Sequence, residues 1–129
     1  MKQSVGQKVD GFLRFRIDLA YEGTDFAGWA KQPGLRTVQG DLLRALEQIF
    51  GPSADDFGMR VAGRTDAGVH AEGQVVHIDL SDGQLKRLGR SQDIALKLNT
   101  LLPKAIRVKK VIAAPKGFDA RFSASFRRY

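Results

Sequence analysis

The stretch LRFRIDLAY, Leu13–Tyr21, decides how the rest of the chain is read. Leu13, Phe15, Ile17, Leu19 and Tyr21 alternate strictly with Arg14, Arg16, Asp18 and Ala20, the period-two pattern of a β-strand that buries one face. EGTDFAGWAKQPGLR (Glu22–Arg36) follows, and its three glycines and one proline predict a loop, which carries the only tryptophan, Trp29. Thr37 then stands as a helix cap before Val38, Leu42, Ala45, Leu46, Ile49 and Phe50, which share one face at three- and four-residue intervals, and Gly51-Pro52 ends the helix.

Further along, a second strand is expected from about Phe57 to Ala62 and a third over Gly73–Leu80, where Val76, Ile78 and Leu80 share a face. Ser91 or Asp93 can start a short helix with Ile94, Leu98, Leu101 and Leu102 on its apolar side, stopped by Pro103. A fourth strand runs from Ile106 to about Ala113, with basic residues on its outward positions. The order βαββαβ is the split βαβ arrangement of an α+β, ferredoxin-like (RRM-like) domain. We divide the chain into a tail (residues 1–11), this domain (12–115) and the start of a following segment (116–129), so that the chain reads as if truncated.

Composition narrows the classes. A length of 129 residues suits one domain with a single core, and the proportions of 43% apolar and 27% charged residues are globular. The chain has no cysteine, which removes disulfide frameworks and thiolate metal sites and fits a reducing compartment. Neither a signal-peptide core nor a run of membrane-spanning length is visible, so a cytoplasmic protein without membrane association is expected. The formal charge of +7 is localised: residues 1–103 hold 13 basic and 13 acidic side chains, whereas 104–129 hold eight basic ones against Asp119 alone. That asymmetry is consistent with a polyanionic partner, and equally with a solvated basic strand edge that resists aggregation. Within the end segment, Arg121, Phe122, Phe126, Arg127, Arg128 and Tyr129 mix guanidinium and aromatic groups, a mixture suited to RNA.

The chemistry concentrates in AGRTDAGVHAEGQ (Ala62–Gln74), which sets Arg64 and Asp66 two residues apart between Gly63 and Gly68. A phosphate-binding P-loop does not fit, because Val69-His70 stand where Lys-Ser/Thr is needed and Asp66 would repel the anion. A metal site drawn from Asp66, His70, Glu72, His77 and Asp79 lacks helical His-x-x-x-His spacing and would place Arg64 beside the cation; a packed or surface role suits His77 better. A third reading makes Asp66 an ionised nucleophile or base that Arg64 holds in its charged form. Against it stands an ordinary turn with a surface Arg-Asp pair.

AGRTDAGVHAEGQVVHID closely resembles the active-site motif of the TruA family of tRNA pseudouridine synthases. YEGTDFAGWAKQPGLRTVQGDLLRAL, LNTLLP and FDARFSASFRRY are similar to other segments of that family, so the likeness runs from about Arg14 to Tyr129, with a departure at Ala30, where members often carry glutamine. The resemblance implies that Asp66 is the catalytic nucleophile and that Arg64 pairs with it and helps hold the flipped nucleotide. It implies that Tyr129 packs on the target uracil, while the basic tail assigns Arg121, Arg127 and Arg128 to RNA binding. It further implies isomerisation of uridine to pseudouridine in a tRNA anticodon stem-loop, without cofactor or metal, by an enzyme that is a homodimer when full-length. The alternative is a non-catalytic RRM-like RNA-binding domain, although GQVVHIDL lacks the aromatic residues that RRMs place on their central strands.

Overall fold

The structure, a computed structural model, describes residues 8–9, 11–88, 93–115 and 117–122. Strand β2 (Phe12–Tyr21) is its spine. On one side it pairs antiparallel with β4 (Ala71–Ser81) over almost its whole length. On the other side β1 (Lys8–Val9) takes its first residues and β5 (Ile106–Ala113) the remainder, while β3 (Arg60–Val61) extends the sheet beyond β4. The longer spatial order is therefore β5-β2-β4-β3, with every pairing antiparallel.

The period-two pattern of β2 is realised as two unlike faces. Ile17 and Leu19 are fully buried against Val38, Leu42 and Leu46 of helix α1 (Val38–Phe50) and Leu98 of helix α3 (Ile94–Leu101), which together form the core. The opposite face is polar: Arg14 lies opposite Asp79 and Arg16 opposite His77 in the β2/β4 register. Thr37 caps α1 as expected, its hydroxyl accepting the Gly40 N–H at 3.1 Å, and Asp93, rather than Ser91, caps α3 by accepting the Leu96 N–H at 2.8 Å. Gly51 ends α1 at φ 88°, a left-handed backbone that glycine adopts without strain.

Three local expectations are corrected. The second strand is only Arg60–Val61, because Asp56 and Phe57 take positive φ in a 3-10 turn (Asp56–Gly58). That turn sends the Phe57 ring inward, 6.4 Å from Phe50, instead of along a sheet. A helix α2 (Asp82–Leu88) follows β4 where none was expected. Its start is a capping box: the Ser81 hydroxyl accepts the Gln84 N–H at 3.1 Å, and the Gln84 side chain accepts the Ser81 N–H at 2.7 Å. Leu101 is 41% exposed at the last turn of α3, and the buried place expected of it is taken by Leu102, whose extended backbone leaves the helix.

The end segment returns to the sheet. Residues 117–122 lie against its polar face as a turn containing the 3-10 element Ala120–Phe122. Arg14 donates to Asp79 through two bonds of 2.7 and 3.0 Å and to the Phe118 carbonyl at 2.9 Å. His77, 1% exposed, accepts the Ala120 N–H on Nδ1 at 3.1 Å and meets the Phe118 ring edge-on. Burial, followed by the nearby Arg14 charge, lowers the His77 pKa to about 4, so the ring is neutral and can accept. The Arg121 guanidinium hydrogen-bonds Asp119 and lowers its pKa to about 2.

Candidate active site

The conspicuous motif occupies the connection between β3 and β4, and its geometry is set by the packing beneath it. Ala62 is still sheet-like, donating its N–H to the Val75 carbonyl at 2.8 Å. Gln74, buried on β4, then donates to the Gly63 carbonyl at 2.6 Å and to the Tyr21 hydroxyl at 3.2 Å. Tyr21 in turn shares a 2.8 Å hydrogen bond with the Thr65 hydroxyl. Thr65 is thereby drawn toward the core, whereas Arg64 and Asp66 on either side of it are exposed.

The loop after β2 grips the same segment from a second direction. Trp29 N–H donates to the Thr65 carbonyl at 3.0 Å, and Gly68 N–H donates to the Phe26 carbonyl at 3.2 Å. Gly23 N–H donates to Nδ1 of His70 at 2.8 Å, which makes the exposed imidazole an acceptor on that nitrogen. Two glycines make this approach possible. A Cβ on Gly23 would stand 1.9 Å from the Val69 carbonyl oxygen, and one on Gly28, at φ 102°, would stand 3.0 Å from that of Thr65. Sequence reading identified this stretch as a loop from its glycines but missed its purpose, since only the fold brings Gly23 and Gly28 against residues 65–69.

The result is a backbone clamped on both flanks that presents two opposite charges to solvent. Asp66 opens a turn, its carbonyl accepting the Val69 N–H at 3.1 Å, with Gly68 at φ 79°. No ion pair joins Arg64 to Asp66, contrary to the pairing expected from the resemblance, and neither side chain has a partner among the described residues. Both flank the inward-anchored Thr65 and face outward, where water solvates each charge separately.

The other named residues divide sharply. Arg121 is brought beside the loop and shares with Arg64 a groove of about 460 Å³, although its guanidinium is engaged with Asp119. Arg127, Arg128 and Tyr129 lie outside the described residues. Of the metal candidates, His70 and His77 each use Nδ1 for a backbone N–H and Asp79 is held by Arg14; among the described residues no three such side chains gather to hold a metal ion. Lys109, on an outward position of β5, donates to the Glu72 carbonyl and so ties the basic strand to the far end of the loop.

The chain is thus an antiparallel α+β domain with a clamped loop that displays an exposed carboxylate, which has no partner among the described residues. The chain belongs to the tRNA pseudouridine synthase family, whose sequence profile matches residues 19–123. It is 50% identical, over 94% of its length, to the tRNA pseudouridine synthase A of Leifsonia xyli, and 53% identical, also over 94%, to that of Frankia casuarinae. The corresponding protein of Mycobacterium leprae is 46% identical over 91% of the chain. These alignments take in 46%, 42% and 43% of the three relatives, so the chain spans less than half the length of the curated proteins it matches. Among the described residues no helix is long and apolar enough to cross a membrane.

Proposed function

We propose that this chain supplies the catalytic-loop domain of a tRNA pseudouridine synthase, with Asp66 as nucleophile. The observation that carries the reading is the contrast within the loop: the backbone of residues 63–68 is fixed by hydrogen bonds with Gln74, Trp29 and Phe26, and the His70 ring by the Gly23 N–H, while the Asp66 carboxylate is exposed and has no partner among the described residues. A nucleophile so held needs no reorganisation of the chain to meet a substrate. The strand order β5-β2-β4-β3, antiparallel throughout, supports the ferredoxin-like (RRM-like) description of this half of the synthase fold.

In this reading a uridine of the anticodon stem-loop leaves its stack, at a cost of a few kcal/mol, and enters beside the loop. The C1′–N1 bond breaks, the uracil turns, and C5 bonds to C1′ while the C5 proton leaves and N1 gains one. Asp66 attacks either the ring or the sugar carbon, and Arg64, without a partner among the described residues, is available to hold the extruded nucleotide. Tyr129 packs on the uracil, and the complete enzyme works as a cytoplasmic homodimer without cofactor or metal.

The test is pseudouridine formation on unmodified tRNA with a uridine in its anticodon stem, using this chain alone and with a separately supplied carboxy-terminal half of a relative. Product in either arm that disappears with Asp66→Asn is the expected result. Absence of product in both arms, with the pair folded and bound to tRNA, would instead favour a non-catalytic RNA-binding domain.

A further inference from the structure

The groove on the Arg64 side of the loop has a chemical bias that the catalytic reading does not use. Its lining includes Trp29, Asp55, Asp56, Arg60, Arg64 and Arg121. Of the acids there, Asp55 accepts from the Ser53 hydroxyl at 2.9 Å and keeps its charge, while Asp56 pairs with Lys31 at 2.8 Å. Arg121 is likewise engaged with Asp119. Two guanidiniums are not so matched. Arg64 has no partner among the described residues, and Arg60, exposed on β3, spends one N–H on the neighbouring Met59 carbonyl and has no acidic partner there. Trp29, 1% exposed, adds an indole N–H that meets no acceptor among the described residues. Among the described residues the groove therefore leaves two guanidiniums without an acidic partner against the single unpaired carboxylate of Asp55, a cationic excess on the Arg60–Arg64 side that favours an anion rich in acceptor oxygens.

We infer that this groove is a binding site for the phosphodiester backbone of RNA, with Arg60 as a contact residue alongside Arg64. The inference rests on the proposed function for its choice of RNA as the source of phosphate. Position supports it: Arg60 sits at the edge of the sheet, opposite His77 in the β3/β4 register, four residues before Arg64. A strand of RNA whose nucleotide is offered to Asp66 must carry its adjoining phosphates past one flank of the loop, and this flank presents the free guanidiniums. Charge patterning alone did not single out Arg60, because the excess of basic residues lies after residue 103.

The chain's single tryptophan lines this groove and so reports on its occupancy. The experiment uses the Asp66→Asn protein, so that no turnover intervenes, and follows Trp29 fluorescence and tRNA affinity across a range of salt. Saturable change in emission on adding tRNA is expected, with none from inorganic phosphate at the same ionic strength. Adding Arg60→Gln should weaken tRNA binding several-fold and reduce the slope of log affinity against log salt by about one, whereas Arg60→Lys keeps the slope. Equal responses to phosphate and tRNA would make this a free-anion site and overturn the assignment, as would an affinity and slope unchanged by Arg60→Gln. Because the readout is binding, a protein that makes no pseudouridine still gives a decisive answer here.

Discussion

The loop at residues 62–70 and the polar sheet face under residues 117–122 are both rich in charge, yet they handle it in opposite ways. Beneath the end segment almost every charge has a partner: Arg14 with Asp79, Arg16 with Asp18, Arg121 with Asp119. In the loop the charged side chains have no partner among the described residues, and the hydrogen bonds go to the backbone instead. Of the ion pairs named, Arg14–Asp79 is the one that joins separate segments, holding β2 to β4, and Arg14 also reaches the end segment through the Phe118 carbonyl. Exposed charges without a partner on an immobilised backbone are, in the proposed function, the groups that meet the substrate. Proximity in sequence does not tell these cases apart, since Arg64/Asp66 and Arg16/Asp18 share the same two-residue spacing.

The comparison breaks most visibly at Asp66. Asp66→Asn is nearly isosteric and removes no side-chain contact with the described residues, so the thermal unfolding midpoint should stay within about two degrees of the parent, because surface changes away from structural features are worth about 0.5 kcal/mol or less. Pseudouridine formation by the complemented enzyme should fall by about a thousandfold or more, the scale expected when a covalent nucleophile is removed. A matching loss of stability would show that Asp66 belongs with the structural charges after all.

On the other side of the comparison, His77 makes the end segment sensitive to acid. Its folded pKa of about 4 lies below the ordinary value of 6.5, so the unfolded chain binds a proton more readily than the folded one between these limits. The associated stability is fully present above pH 6.5, declines as pH falls toward 4 and changes no further below that, to a total of roughly 3 kcal/mol from 1.36 kcal/mol per pKa unit. Asp119, held at about 2, loses its contribution in a lower window, between its ordinary 3.8 and 2. Denaturant titrations of the parent and of His77→Asn, which keeps an acceptor but does not titrate, should diverge in slope between pH 6.5 and 4. Parallel curves would mean that the ring is not held neutral by the fold.

A smaller effect is expected at Gly23, where the two loops meet. Gly23→Ala must push a methyl group against the Val69 carbonyl, whose oxygen lies 1.9 Å from the Cβ position, so backbone has to move. The cost should be about 2 kcal/mol in urea unfolding, within the range for overpacking. Catalytic activity should fall with it, since the displaced residues adjoin His70 and the Asp66 turn. Full activity with an undisturbed midpoint would show that the contact is slack.

How much of this was legible beforehand follows from what each feature depends on. The long strand of alternating residues, the Thr37 cap and the Pro103 stop are local, and the sequence patterns that announce them appear at the same positions in the structure. Helix α2 was equally local: Ser81-Asp82-Gly83-Gln84 is a capping-box sequence, and the signal was passed over. Phe57 is a different matter, because its β propensity was overridden by a left-handed turn that only the pocket beside Phe50 rewards. At the site, Arg64 and Asp66 stood out by composition and resemblance. Tyr21 and Gln74 did not, as each belongs to a strand whose pattern accounts for it as core, and their shared hydroxyl and amide become functional in appearance only when β2 and β4 are placed side by side.

That pair provides the finest test of the division between structural and reserved groups. Tyr21→Phe keeps the buried ring and its 6.1 Å contact with Trp29 but deletes the hydroxyl that joins Thr65 to Gln74. The expected loss of stability is about 1 kcal/mol, the net worth of a hydrogen bond, since Gln74 still has the Gly63 carbonyl as acceptor. If Tyr21 acts through the loop, kcat for pseudouridine formation should fall by about tenfold while tRNA affinity is unchanged, because Asp66 is displaced from the reacting atoms without any loss of RNA contacts. If it serves only the core, kcat at a temperature well below the unfolding transition should equal that of the parent. Gln74→Glu sharpens the choice: it keeps the length of the side chain but replaces the donating amide by a carboxylate facing the Gly63 carbonyl, and it should depress kcat further than Tyr21→Phe if the loop is positioned from below.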